Sequence, residues 1–157
     1  MIKLLAVGNI KDKALQQLID EYVKRIAHYQ KISIETVNDE KIPNKASDAE
    51  IKQIIELEGQ KILAKINNEY VILLDLHAQQ LDSVAFAQKL QSLQTYGHSD
   101  ICFIIGGSCG VSDALRQRSD MRLQLSKMTF LHQMTRLIIL EQIYRTFKIL
   151  NNETYHK

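Results

Sequence analysis

Hydrophobic positions recur along this chain with two alternating periods, and each change of period marks a boundary between strand and helix. Residues 3–8, Lys-Leu-Leu-Ala-Val-Gly, form a short apolar run closed by glycine, which reads as a buried strand. Over residues 12–29 the apolar set Leu15, Leu18, Ile19, Tyr22, Val23 and Ile26 steps by three and four, predicting a helix with one buried face. Residues 32–37, Ile-Ser-Ile-Glu-Thr-Val, alternate apolar with polar and suit a strand with one wetter face, at a sheet edge. The sole proline, Pro43, lies in the polar stretch 38–46, which is expected as a loop.

Ser47 and Glu50 then stand at capping-box spacing, so a helix should start there and run to about Ile66. Ile51, Ile55, Ile62, Leu63 and Ile66 would share its buried face. Gly59 falls on that face and suggests close contact with another element, since an interior glycine costs ~1 kcal/mol against alanine. Residues 70–76 form a third buried strand. Asp82 or Ser83 caps a helix to about Thr95, with Val84, Phe86, Ala87, Leu90 and Leu93 turned inward. A fourth strand, 101–105, runs into Gly106, Gly107 and Gly110. A short helix beginning near Val111 or Ser112, a last strand over 122–125 and a long helix over 131–150 complete the chain.

Strands alternating with helices predict an α/β fold, a mostly parallel sheet flanked by helices, as one domain over 1–157. The last helix is unusual. Met134, Leu137, Ile138, Ile139, Leu140, Ile143, Tyr144, Phe147, Ile149 and Leu150 surround most of it, and a helix apolar on most faces is buried on most faces. In so small a chain a second copy is the natural cover, which predicts a homodimer.

Charge changes this picture little. Twenty Lys and Arg against eighteen Asp and Glu leave +2, too small to indicate nucleic acid by itself. Cys102 and Cys109 have no metal-ligand or CxxC spacing and read as reduced thiols, with Cys102 in the core. No secretory or membrane-spanning stretch is present, so a soluble, cytoplasmic protein is expected.

Candidate chemistry gathers in the last third. Glycines directly after a buried strand let a ligand approach the backbone, and the following helix would aim free N–H groups into the same space. Neither a P-loop nor a dinucleotide fingerprint is present, because GGxxG on the fourth strand fits neither. A tight turn without a ligand remains open at this point. His132 could be a cap or an ordinary surface residue. His28, His77 and His98 share no metal-ligand spacing, and no metal is expected. Glu141, Arg145 and Lys148 share a helix face, either as a solvated ion-pair ladder or as the border of a cleft. Tyr155, His156 and Lys157 put an aromatic, an imidazole and a cation at a chain end that would ordinarily fray.

The runs Ile-Gly-Gly-Ser-Cys-Gly (105–110) and Leu-Ser-Lys-Met-Thr-Phe (125–130), with His132, Arg136, Glu-Gln-Ile-Tyr-Arg (141–145) and Tyr-His-Lys (155–157), resemble the RlmH family. These are small bacterial methyltransferases of large-subunit ribosomal RNA in the SPOUT superfamily. The likeness covers the whole chain, including 4–8 and 58–63. It implies a C-terminal deep trefoil knot (the alpha-beta knot fold), a homodimer, and S-adenosylmethionine (SAM) as methyl donor. The implied substrate is a pseudouridine in a hairpin loop of 23S rRNA, methylated at N3 on the assembled 70S ribosome. By position it implies a donor site of Leu74, Gly106, Gly107, Leu125, Ser126, Lys127, Met128, Thr129 and Phe130.

Such chemistry needs alignment of donor and acceptor, and a base or anion stabiliser for the N3 proton. His156 has the best-matched ordinary pKa. Arg136 would hold a phosphate or the anionic base, Tyr155 would stack or hydrogen-bond, and His132 and Glu141 are further candidates. Two departures stand out: family members commonly carry glycine where Ala78 stands and proline where Leu131 stands. A ribosome-associated binding module without turnover is the competing class.

Overall fold

Strands β1 (Ile2–Val7) and β4 (Ile101–Ile105) are buried at every position, as runs apolar on both faces require in a parallel sheet covered by helices on both sides. They form the centre of a computed structural model that describes residues 1–157. With β2 (Ile32–Val37), β3 (Tyr70–Gln80) and β5 (Met121–Gln124) they make one sheet in the order β2-β1-β4-β3-β5, parallel throughout. The amphipathic strand β2 lies at an edge, where its alternation places it.

Successive strand residues point to opposite faces, and the core divides accordingly. Leu4, Ala6, Ile72, Phe103 and Ile105 meet α1 (Lys13–Ala27), α3 (Ser83–Thr95) and α5 (His132–Leu150). Leu5, Val7, Leu73, Cys102 and Ile104 meet α2 (Asp48–Leu63) and α4 (Asp113–Arg118) through Ile62 and Leu115. Burial pushes the Cys102 thiol up to about 12, so it is an inert core thiol.

The helix starts follow their caps. Asp12, Ser47, Asp82 and Ser112 each accept a backbone N–H of their own first turn, and Ser47 with Glu50 forms both bonds of the capping box. Leu131 stands at the N-cap of α5 with no side-chain cap, at φ −55°. Proline would fit that φ, so leucine keeps the geometry and gives up only the rigidity.

Three expectations need correction. The buried stripe of α2 is Ile54, Glu58, Gly59 and Ile62, while Ile51 and Ile55 are half-buried. Gly59 does make the close contact: a Cβ there would collide with the Ser112 side chain. β3 continues to Gln80, because after an irregularity between Leu74 and Gln79 it pairs again with β5. Ala78 sits in that irregularity without a positive φ, so glycine is not required there. Finally, the chain covers α5 unevenly: Arg136, Ile139, Leu140, Ile143 and Thr146 are buried, most other positions are half-buried, and Met134 is 41% exposed.

Candidate functional site

The carboxyl ends of β3, β4 and β5 open onto a cleft of about 690 Å³. Leu74 and Asp75 come from β3, the loop 106–111 from the end of β4, and residues 125–130 from the segment after β5. Leu131, His132 and Thr135 close it from the start of α5. Every residue of the implied donor site except Lys127 lines this cleft; Lys127 is exposed and stands outside the lining set.

The glycine loop is shaped by its own packing. Gly110 donates its N–H to the Gly107 carbonyl at 3.2 Å and takes a φ of +117°, open to glycine and strained for other residues. A Cβ on Gly106 would stand 2.5 Å from Val111 Cγ1, and one on Gly107 would meet the Glu58 carboxylate. Gly106 is therefore demanded by the loop's own Val111 and Gly107 by Glu58 outside the cleft lining, and neither adds a side chain to the cleft. In the next wall, Ser126 Oγ accepts the Met128 N–H at 3.0 Å and holds that turn. Apolar side chains, among them Leu76, Leu123, Leu125, Met128 and Phe130, supply most of the remaining surface.

Few charged groups face the cleft. Asp75 is buried, and both its oxygens are engaged: Oδ1 accepts the His77 N–H at 3.1 Å and Oδ2 accepts Arg116 Nε at 3.1 Å. Burial opposes its charge, but these bonds and the Arg116 and Arg122 charges outweigh burial and hold its pKa below the ordinary value. His132 is half-buried, and burial together with the neighbouring Arg136 cation lowers its pKa, favouring neutral imidazole.

Arg136 is not where a phosphate contact would need it. It is 2% exposed, and Nη2 donates to the Val7 and Gly8 carbonyls at 2.7 and 2.6 Å. Its Nε has no partner, and burial lowers its pKa. Its place is that of a clamp on the end of β1. It reaches no RNA.

The tail lies at the other end of α5. Tyr155 donates its hydroxyl to Glu141 Oε1 at 3.0 Å, packs edge-on against Tyr144 at 5.0 Å, and sits beneath the Arg145 guanidinium at 4.7 Å. Arg145 also pairs with Glu141 at 2.5 Å and donates to His156 Nδ1 at 3.2 Å. Glu141, Tyr155 and His156 thus form one cluster, while His132 belongs to the cleft. At about 1.5 Å per residue, His132 and Arg145 are ~20 Å apart along the helix. No tail residue lines this chain's own cleft.

Sequence reasoning passed over Asp75, Arg116 and Glu58. Asp75 had a signal: a carboxylate near the carboxyl end of a buried strand stands where open α/β sheets bind ligands. Glu58 directly precedes the close-contact glycine on the buried face of α2, a carboxylate in an apolar stripe. Arg116 had none beyond its place in the helix after the glycine loop.

Fold and cleft together define an α/β protein with a cleft beyond the carboxyl ends of its parallel strands, the place where open α/β sheets bind ligands. The family described as predicted SPOUT methyltransferase matches residues 1–156, and the chain belongs to it. Ribosomal RNA large subunit methyltransferase H of Enterococcus faecalis is 48% identical over 157 residues, 99% of each chain. The protein of that name in Lactobacillus johnsonii is 47% identical over the same span. Among solved structures, a candidate methylase of Haemophilus influenzae superposes with a TM-score of 0.54 at 10% identity, covering 99% of this chain and 70% of that one. A candidate RNA methyltransferase of Bacillus anthracis gives 0.52 at 10% identity over the full length of both. These two likenesses are of fold alone.

Proposed function

We propose that this protein methylates large-subunit ribosomal RNA with SAM as donor, at N3 of a pseudouridine in a 23S hairpin loop on the assembled 70S ribosome. It works in the cytoplasm as a homodimer. The observation that carries this reading is the cleft at 74, 106–107 and 125–130, in a chain whose full-length relatives carry the name of a ribosomal RNA methyltransferase. The cleft suits the donor's chemistry: apolar walls and bare backbone for an adenosine, with one guanidinium and one engaged carboxylate beside them.

When bound, SAM supplies a methyl group activated by its sulfonium. The chain's own residues then have to orient, enclose and move a proton. Residues 106–107 and 125–130 fix the donor's position through backbone contacts, and Leu76, Met128 and Phe130 exclude water. His132, held neutral at the cleft wall, accepts the N3 proton or relays it. Arg136 holds the end of β1 in place beside it.

Tyr155 and His156 act on the partner's cleft, which explains a functional tail parked ~20 Å along α5 from its own. The exposed Met128, Phe130, Leu131 and Met134, running from the cleft wall into α5, form the face on which the second copy docks.

Ribosomes lacking the modification, incubated with radiolabelled SAM, test the reading. Label should enter 23S rRNA of 70S particles and not of separated large subunits. Tight ribosome association with no transfer would make this a binding module instead.

A further inference from the structure

Arg116 lines the cleft as its one permanently charged cation, the other basic lining groups being His77 and His132. Its guanidinium is oriented from two sides. Nε donates to Asp75 Oδ2 and Nη1 to Asp113 Oδ1, both at 3.1 Å. The two anchors are unequal. The Asp75 side chain is 3% exposed and fixed on its other oxygen by the His77 N–H, so the Nε bond is a firm hinge. The Asp113 side chain is 92% exposed, and an ion pair in that setting contributes little and is readily exchanged. Nη2 makes no hydrogen bond. The outer Nη1–Nη2 edge can therefore receive a planar anion through two parallel bonds, the geometry guanidinium groups favour with carboxylates.

Each Asp75 oxygen already accepts one hydrogen bond, and the side chain is only 3% exposed, so little of it is presented to a ligand. Its function is to aim Arg116. Resting on the reading of the cleft as a SAM site, we propose that Arg116 binds the carboxylate of the donor's methionine moiety, with Asp75 as the positioning residue that holds the guanidinium toward the cleft. A ribosomal phosphate is the competing ligand for the same edge. A lone cation set inside an otherwise apolar cleft, beside the glycine loop, favours the small carboxylate, since phosphate-tracking surfaces are built from several exposed cations in a row.

The test is calorimetric and needs no turnover. SAM and decarboxylated SAM differ by the carboxylate alone. The wild type should bind SAM roughly 10- to 100-fold more tightly, the range expected for charge-assisted bonds to one carboxylate. Arg116→Met should bring that ratio close to one by weakening SAM and leaving decarboxylated SAM where it was. Arg116→Lys should restore part of the preference. Asp113→Ala leaves the hinge intact and frees Nη1, so SAM affinity should rise about 2- to 3-fold with decarboxylated SAM unaffected, a small gain of the size a surface pair allows. That variant also serves should Arg116→Met lose its fold in a thermal melt.

If Arg116→Met keeps the wild-type preference, or if it spares both ligands and raises only the KM for ribosomes, the assignment is overturned. A wild type that binds SAM and decarboxylated SAM equally also overturns it while sparing the cofactor reading. A wild type that binds neither removes both.

Discussion

The cleft and the tail cluster occupy opposite ends of α5 and are built by opposite means. At the cleft, shape comes from backbone. Glycines are required by the neighbouring Val111 and Glu58, and the walls are mostly apolar. At the tail, shape comes from polar and aromatic side chains: Tyr22, Tyr144 and Tyr155 edge to edge, with Arg145, Glu141 and His156 bonded across them. A backbone mould is rigid and specific for one ligand. A cluster of half-buried polar and ring contacts rests on side chains, which can be exchanged for equivalent contacts on another surface. The contrast suits a donor site complete within one chain and an arm that acts elsewhere.

The largest effect should come from separating the two regions. Deleting 155–157 should lower methyl transfer to ribosomes by about 10³-fold, within the range for losing acid–base and positioning groups. SAM affinity by calorimetry should stay within 2-fold, because no deleted residue lines the cleft. The deletion does cost some packing, since Tyr155 contacts Tyr144 and Arg145, so a modest fall in Tm is expected. Mixing the tailless chain with a Gly106→Val chain sharpens the comparison. Valine at 106 would drive into Val111 and spoil the loop, so each parent should be inactive. If tails cross, the heterodimer unites one intact cleft with one intact tail, and activity returns. If each tail serves its own cleft, the mixture stays dead. Full activity in the tailless homodimer would end any catalytic role for the tail.

A second contrast lies within α5 itself. Ile139 and Ile143 are fully buried in the chain's own core, so a glutamate at either should unfold the protein rather than merely part a dimer. Met134→Glu falls on the exposed side and should leave Tm within a few degrees. Under the homodimer reading it should weaken self-association about 10-fold in sedimentation. A monomeric wild type would remove the partner and, with it, the crossing tail.

Legibility from sequence followed the same division. Strand order in the chain, the capping box, the edge character of β2 and the glycine loop were all readable, because period, caps and glycine act locally. The Leu125 to Phe130 wall became visible only through family likeness, since no periodicity marks a ligand-lining turn. The side chains that long-range packing places were not readable. Arg136 sits on a helix whose apolar residues go round most faces, and nothing local says the guanidinium would end against the Val7 and Gly8 carbonyls. The stripe of α2 shifted to Ile54 and Glu58 because Gly59 meets Ser112 from a helix more than fifty residues later. The docked tail depends on Tyr22 and Tyr144 from two other elements. A knot depends on chain threading, which no pattern of residues encodes.

The smallest expected effect concerns Glu58, on the wall shared by α2 and the glycine loop. It is 5% exposed, Oε1 accepts the Glu40 N–H at 3.0 Å, and Oε2 has no partner. Burial raises its pKa; the Glu40 backbone bond and Lys61 oppose that rise, while Asp39 and the Glu40 charge add to it. A raised folded value means that the stability linked to Glu58 is full below the ordinary carboxylate range and is lost as pH climbs through the folded value. Glu58→Gln keeps an acceptor for Glu40 and cannot ionise. It should therefore stabilise the fold at neutral pH by about 1 kcal/mol, at the low end for an unsatisfied buried group. The gain should shrink as pH falls from the raised folded value toward the ordinary carboxylate range, and vanish by about pH 4, where both forms are neutral. Asp75, with its lowered pKa, pulls the absolute curves the other way, losing stability as pH falls, so only the difference between the Glu58→Gln and wild-type chains isolates the effect. Urea titrations from pH 4 to 8 measure it. A constant difference across that range would mean that Glu58 is ionised in the fold as readily as in the open chain, and that the glycine loop rests on an ordinary carboxylate.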